Sequence, residues 1–207
     1  MIRALIFDLF EVLFSTELSP ECHACERRLQ LADYGLQTAM LRSPQFREAI
    51  YGRISEEVLW RDVASTVKAS PDVWQELADA FYSCVQVNTE LLNFIRDLRP
   101  HYKTAILSNA TPAVYLLATQ QFRLDQEVDT IVISAQVGAT KPHPEIYQIA
   151  ANRLNIVSHE AIYVDDEWRF VAGAEAIGMR GVQFQNTAQV IAEVQTLLAG
   201  EERPATQ

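Results

Sequence analysis

No long hydrophobic run occurs in this chain. Asp8 and Glu11 interrupt the apolar N-terminus, and no stretch reaches the roughly 18 to 20 apolar residues of a membrane span. A basic run is equally absent. Lys and Arg number 17 against 27 Asp and Glu, for a net charge of -10 and a pI near 4.8. Neutralising a phosphate backbone takes clustered cations, so this balance excludes a nucleic-acid partner. Cysteine is scarce. Three of them, without a charged lead and apolar core of a secretory signal, favour reduced thiols over a disulfide framework. Cys22-His23-Ala24-Cys25 has the spacing of half a zinc site, but a second close pair is missing and Cys84 stands alone. There is no internal repeat and no low-complexity segment. A cytoplasmic protein that meets neither membrane nor nucleic acid is the expectation.

What is present is an ordinary globular composition, 49% hydrophobic and 21% charged over 207 residues, enough for one core with a smaller appended unit. The chain is organised around Arg3 to Phe14, RALIFDLFEVLF. Ala4, Leu5, Ile6 and Phe7 form an unbroken apolar run, which suits a strand covered on both faces of a parallel sheet. Asp8 ends it, where open α/β sheets place their ligands.

From Ser19 to about Val85 the pattern is helical, with almost no strand signal. Ser19-Pro20-Glu21, Ser43-Pro44-Gln45 and Ser70-Pro71-Asp72 each set a serine N-cap before a proline at the first helical position. Ser55-Glu56-Glu57 adds a fourth cap, so four helices are expected to pack as a small bundle. Helix and strand then alternate. Asn88 caps a helix through Leu98, Lys103 to Leu107 is a strand ending in Ser108-Asn109, and Val114 to Gln121 is helical. Thr130 to Ser134 is a strand, Pro144 to Leu154 a helix, and Ala161 to Val164 a strand ending in Asp165-Asp166. A helix to Ile177, a strand from Gly181 to Phe184 and a last helix through Leu198 complete the chain, and the tail frays from about Gly200.

This alternation predicts an α/β, Rossmann-like parallel sheet with helices on both faces, built from residues 1–14 and 86–200. Residues 15–85 form a helical insert and 201–207 a flexible tail. Asp8, Ser108 and Asp165-Asp166 all follow predicted strands, so they can meet at one sheet edge. With Lys141 they supply a nucleophilic carboxylate, a hydroxyl, a cation and an acidic pair. Such a set suits phosphoryl transfer, in which Mg2+ takes hard oxygen ligands and an aspartate accepts the phosphoryl group.

At this point the chain resembles the haloacid dehalogenase-like hydrolase superfamily, through IFDLFEVLF, ILSNA, VGATKPHPEIY and YVDDEWRFVAGAEAIGMRGVQF in the family's order. The resemblance implies Asp8 as nucleophile, Ser108, Asn109 and Lys141 as phosphoryl-binding groups, and Lys141 as the neutralising cation. It implies a Mg2+ held by Asp8, the backbone carbonyl of Phe10, Asp165 and Asp166. The helical insert resembles the family's type 1 cap, which closes over the site and selects a small phosphorylated substrate.

Two positions depart from that pattern. Two residues after the nucleophile the family's phosphatases carry an aspartate that serves as general acid and base, and here Phe10 stands in its place, with Glu11 adjacent. Phe170 stands where many relatives carry an asparagine after the acidic pair. Three readings follow: a Mg2+-dependent phosphohydrolase, a metal-free 2-haloacid dehalogenase, and a binding or regulatory protein on a catalytically weakened scaffold. The dehalogenase gains from Phe10, since those relatives carry tyrosine there and a halide leaves without a proton. It loses from Asp165-Asp166, whose charges would repel a carboxylate substrate.

Overall fold

A computed structural model of the chain describes residues 1–201. Among them, β1 (Ala4–Phe7) and β2 (Phe14–Thr16) lead into the helices α1 (Pro20–Arg28), α2 (Gly35–Arg42), α3 (Phe46–Ile50), α4 (Glu56–Thr66) and α5 (Trp74–Tyr82). β3 (Val85–Val87), α6 (Thr89–Leu98), β4 (Lys103–Ser108), α7 (Pro112–Leu116), β5 (Thr130–Ile133) and α8 (Ser134–Val137) follow. The chain continues through α9 (Pro144–Leu154), β6 (Ala161–Asp165), α10 (Trp168–Glu175), β7 (Arg180–Gln183) and α11 (Thr187–Glu201). No described helix is long and apolar enough to cross a membrane. Gly200 and Glu201, expected in a frayed tail, lie within α11, and the rest of that expected tail, 202–207, falls outside the described residues.

The expected parallel sheet is present, in the order β5-β4-β1-β6-β7, with β1 at its centre. Alternation along β1 explains its unbroken apolar run. Leu5 and Phe7 face a cluster with Leu91 and Ile95 of α6 and Val190 and Val194 of α11, while Ala4 and Ile6 face one with Ile146 and Tyr147 of α9 and Ala174 of α10. All four strand residues are fully buried. Truncating such a side chain, as in Leu5→Ala, costs about 2–5 kcal/mol because the surrounding layers relax only in part.

The helices between β2 and β3 have a core of their own, built on Trp60 with Leu36, Leu59, Leu77 and Phe81, and it takes in Cys22, Cys25 and Cys84. Five α-helices lie here, one more than the serine caps signalled. The additional helix, α2, has no side-chain cap of its own at its N-terminus. Instead Glu26 of α1 reaches across, its carboxylate accepting Leu36 N at 2.9 Å and Tyr34 N at 3.1 Å. Ser43 closes α2 before the short α3, with its hydroxyl donating to Asp62 at 2.6 Å. β2 and β3, absent from the sequence reading, pair antiparallel and tie together the two ends of the helical insert. Three-residue strands are too short to show a period of two. Among the later elements, β5 stops at Ile133 with Ser134 starting a helix, β7 begins at Arg180, and the helix expected over 114–121 is α7 followed by one wider turn, Leu117–Gln121.

Candidate active site

Three adjacent strands deliver the site. Asp8 follows β1, Ser108 ends β4 on one side of it and Asp165 ends β6 on the other, so the chain's crossover from one half of the sheet to the other opens a crevice at β1. Lys141 enters from the loop between α8 and α9. Its ammonium lies 2.7 Å from Asp8 Oδ1 and 2.7 Å from Asp165 Oδ2, with all three side chains buried. Asp8 Oδ1 also accepts Leu9 N at 2.7 Å. Asp165 is held further by the Tyr163 hydroxyl, which donates to Oδ2, and by Glu167 N, 2.9 Å from Oδ1.

Asn109 fixes the lysine. Its side-chain oxygen accepts Lys141 N at 2.8 Å and its amide donates to Lys141 O at 3.0 Å, which clamps the loop to the end of β4. Ser108 is buried and lines the cavity beside Asp8, Asn109, Lys141 and Asp166.

One oxygen each from Asp8, Asp165 and Asp166 lies within 4.8 Å of the other two. Three carboxylates thus face one ammonium in a poorly solvated crevice. Burial, with Asp165 adding to it against the opposing pull of Lys141, pushes Asp8 up to about 7. Burial and Asp165 push Asp166 up to about 6. An all-oxygen donor set with surplus negative charge matches a hard dication such as Mg2+, so the residues present fit that ion.

Phe10, two residues after Asp8, places an aromatic ring on the cavity wall. The ring is half-buried and meets Phe14 edge-on, with centroids 5.8 Å apart. Glu11 adopts a left-handed backbone, φ 60°, and its carboxylate accepts Thr16 Oγ1 at 3.1 Å. Phe170 lies under the lysine, its ring centroid 4.8 Å from Lys141 Nζ, and the Arg169 guanidinium covers the same ring at 4.5 Å.

A haloacid dehalogenase-like hydrolase family model matches residues 2–178, most of the chain. The chain belongs to this family. Among its curated relatives, a D-ribitol-5-phosphate phosphatase of Bacteroides thetaiotaomicron is 24% identical over 211 residues, covering 96% of this chain and 99% of the relative. A sesquiterpene phosphatase of Aspergillus oryzae is 22% identical over 200 residues, covering 95% and 96%. Among solved structures, a variant of a HAD family enzyme from Bacteroides thetaiotaomicron, in complex with magnesium and inorganic phosphate, shares the fold. Its TM-score is 0.73 at 17% identity, and the match covers 92% of this chain and 99% of that one.

Within the hydrolase, sequence reading missed Tyr163, although its spacing from Asp165 was a usable signal: residues i and i+2 of a strand share a face. It also missed the contacts that bring the helical insert onto the sheet edge. Glu56 at the start of α4 accepts Trp60 Nε1 at 2.9 Å, Tyr82 OH at 3.3 Å and Ala113 N at 3.4 Å, so it joins two helices of the insert to α7. Ser134 Oγ donates to Ile50 O at 2.6 Å, and Thr140 Oγ1 donates to Tyr51 OH at 2.9 Å. Gly52 passes so near Ala135 that a Cβ there would lie 2.0 Å from the carbonyl oxygen.

Proposed function

We propose that this hydrolase is a Mg2+-dependent phosphohydrolase acting on a small phosphorylated metabolite through an aspartyl-phosphate on Asp8, with residues 15–85 as a cap over the core of 1–14 and 86–200. The observation that carries the reading is the meeting of Asp8, Asp165 and Asp166 around Lys141 at one sheet edge. Both phosphatase relatives align over nearly the whole chain, which agrees with it.

Lys141 and Leu9 N occupy Oδ1 of Asp8, which leaves Oδ2 to attack phosphorus. As the Asp8–phosphorus bond forms, the ester oxygen leaves with its electron pair. Ser108 and the remaining amide hydrogen of Asn109 donate to the phosphoryl oxygens, and Lys141 balances their charge. Water then adds at phosphorus, releasing inorganic phosphate and restoring the Asp8 carboxylate. Bound by Asp8, the Phe10 carbonyl, Asp165 and Asp166, Mg2+ would neutralise the transferring group and keep Asp8 ionised. Phe10 can neither protonate the leaving oxygen nor activate the water, so turnover is slow on alkyl esters and faster on acyl or aryl phosphates.

The dehalogenase reading would put a substrate carboxylate beside Asp165 and Asp166, and nothing but Lys141 in the buried floor opposes that repulsion. A panel of acyl, aryl and alkyl phosphates with and without Mg2+, run beside 2-chloropropionate with halide detection and with the Asp8→Asn protein as control, tests the proposal. Metal-dependent phosphate release that disappears in the variant is the expected result. Halide release without metal would replace the phosphohydrolase with the dehalogenase, and silence on every substrate would leave the binding-protein reading.

A further inference from the structure

The cavity that opens above Asp8 has two chemically different halves. Its floor is Asp8, Ser108, Asn109, Lys141 and Asp166, and its total volume is about 300 Å³. The wall that the helical insert contributes is mostly hydrocarbon. Met40 and Leu41 of α2, Phe46 and Ile50 of α3 and Phe81 of α5 line it from the helical insert, and Val114 faces them from α7.

The polar groups that line the rest of the cavity are mostly engaged with one another. Glu11 and Thr16 are bonded to one another. The Tyr82 hydroxyl lies between Glu56 and Thr111, 3.2 Å from Thr111 Oγ1. Arg169 stacks on Phe170 and pairs with Glu167 at 3.6 Å. Gln37 is the one amide that the insert's described residues contribute to the lining. Sugar and polyol phosphates carry a hydroxyl on almost every carbon, and each one buried here would lose its water partners without a replacement. An alkyl or isoprenoid-like chain has no hydroxyl to strip of water, and it covers side chains that otherwise face water. Leu41, 53% exposed at the mouth, is such a side chain.

We propose that the substrate of this site is the phosphate monoester of an apolar alcohol, with the phosphoryl group on the charged floor and the hydrocarbon against α2, α3 and α5. This deepens the phosphohydrolase reading and rests on it. At roughly 30 Å³ per non-hydrogen atom the cavity holds on the order of ten of them, the size of a phosphoryl group with a chain of about six carbons.

Two measurements on the Mg2+-loaded protein test it. In calorimetry with n-alkylphosphonates from ethyl to hexyl, affinity should rise about fourfold per methylene. In turnover, hexyl phosphate should exceed a pentitol phosphate in kcat/KM by roughly a hundredfold, and Leu41→Gln should narrow that hexyl preference about tenfold. Leu41 is exposed enough for that variant to fold as the parent does. A flat phosphonate series, or a pentitol phosphate turned over as well as hexyl phosphate, overturns the apolar-substrate proposal and leaves the phosphohydrolase intact. A steep phosphonate series with no ester hydrolysed at all supports the apolar site and sinks the phosphohydrolase reading.

Discussion

Tyr163 donates its hydroxyl to Oδ2 of Asp165, two residues along the same strand, and Lys141 Nζ meets that same oxygen at 2.7 Å. The tyrosine ring is fully buried and packs edge-on against Tyr147 at 5.3 Å between centroids, so the hydroxyl has no freedom to turn elsewhere. Burial, with Asp8 and Asp165 close by, pushes the phenol well above its ordinary range, which keeps it a donor at any working pH. Tyr163→Phe should therefore lower stability by about 1.5–3 kcal/mol, the worth of a hydrogen bond to a charged group. Urea unfolding measures this directly, and an unchanged midpoint would show that Lys141 and Glu167 N hold Asp165 unaided.

Asp8→Asn should abolish phosphate release while leaving the fold intact, because the amide keeps the shape of the carboxylate and removes one of three clustered negative charges. Turnover above a few per cent of the parent, against a contamination control, would move the nucleophile elsewhere.

The metal-free protein should lose stability as pH rises. Asp8 at about 7 and Asp166 at about 6 both lie above an unfolded carboxyl near 3.9, so the folded state binds more protons than the unfolded one across that interval. The contribution of these two groups is fully present below about pH 4 and is lost as pH rises through 7. Millimolar Mg2+ should then raise Tm more at pH 8 than at pH 5, and Asp166→Asn should shrink the difference. Equal Tm gains at both pH values in the parent would contradict a site made of these carboxylates.

Phe10→Asp should raise turnover of an alkyl phosphate by ~10² and change an acyl phosphate much less, since only the alkyl leaving group needs a proton. The substitution also removes the edge contact with Phe14, so the variant must first be shown folded by circular dichroism. A folded, Mg2+-binding variant that turns over alkyl phosphates no faster than the parent would show that Phe10 is not the missing catalytic part.

Gly52→Ala should release the loop after α3 from the core. Gly52 has φ +71°, a region costing an alanine about 1–2 kcal/mol, and the added Cβ would meet the Ala135 carbonyl at 2.0 Å. Faster tryptic cleavage after the exposed Arg53 is the readout, with a higher KM accompanying it. Parent-like cleavage would mean that Ser134 and Thr140 hold the insert without it.

How far the chain could be read before its structure follows from the range of the forces involved. The parallel sheet was legible because Ala4 to Phe7 and the later strands write burial on both faces directly into composition, and because Ser19, Ser55 and Asn88 each cap a helix within three residues of themselves, whereas Ser43 ends α2 and Ser70 caps a 3-10 turn ahead of α5. Asp8, Ser108 and Asp165-Asp166 could be placed together since a parallel sheet puts every strand's C-terminal end on one edge. Contacts between residues far apart in sequence left no such local mark. Glu26 starting α2 from another helix, Asn109 clamping Lys141 and Glu56 tying the insert to α7 are single side chains whose partners only the folded chain selects. The apolar half of the cavity belongs to the same class. Met40, Phe46 and Phe81 read as ordinary helix core, and a hydrophobic side chain has no directional bond that could announce which surface it will face. The relative packing of three helices against the sheet edge turned them toward Asp8.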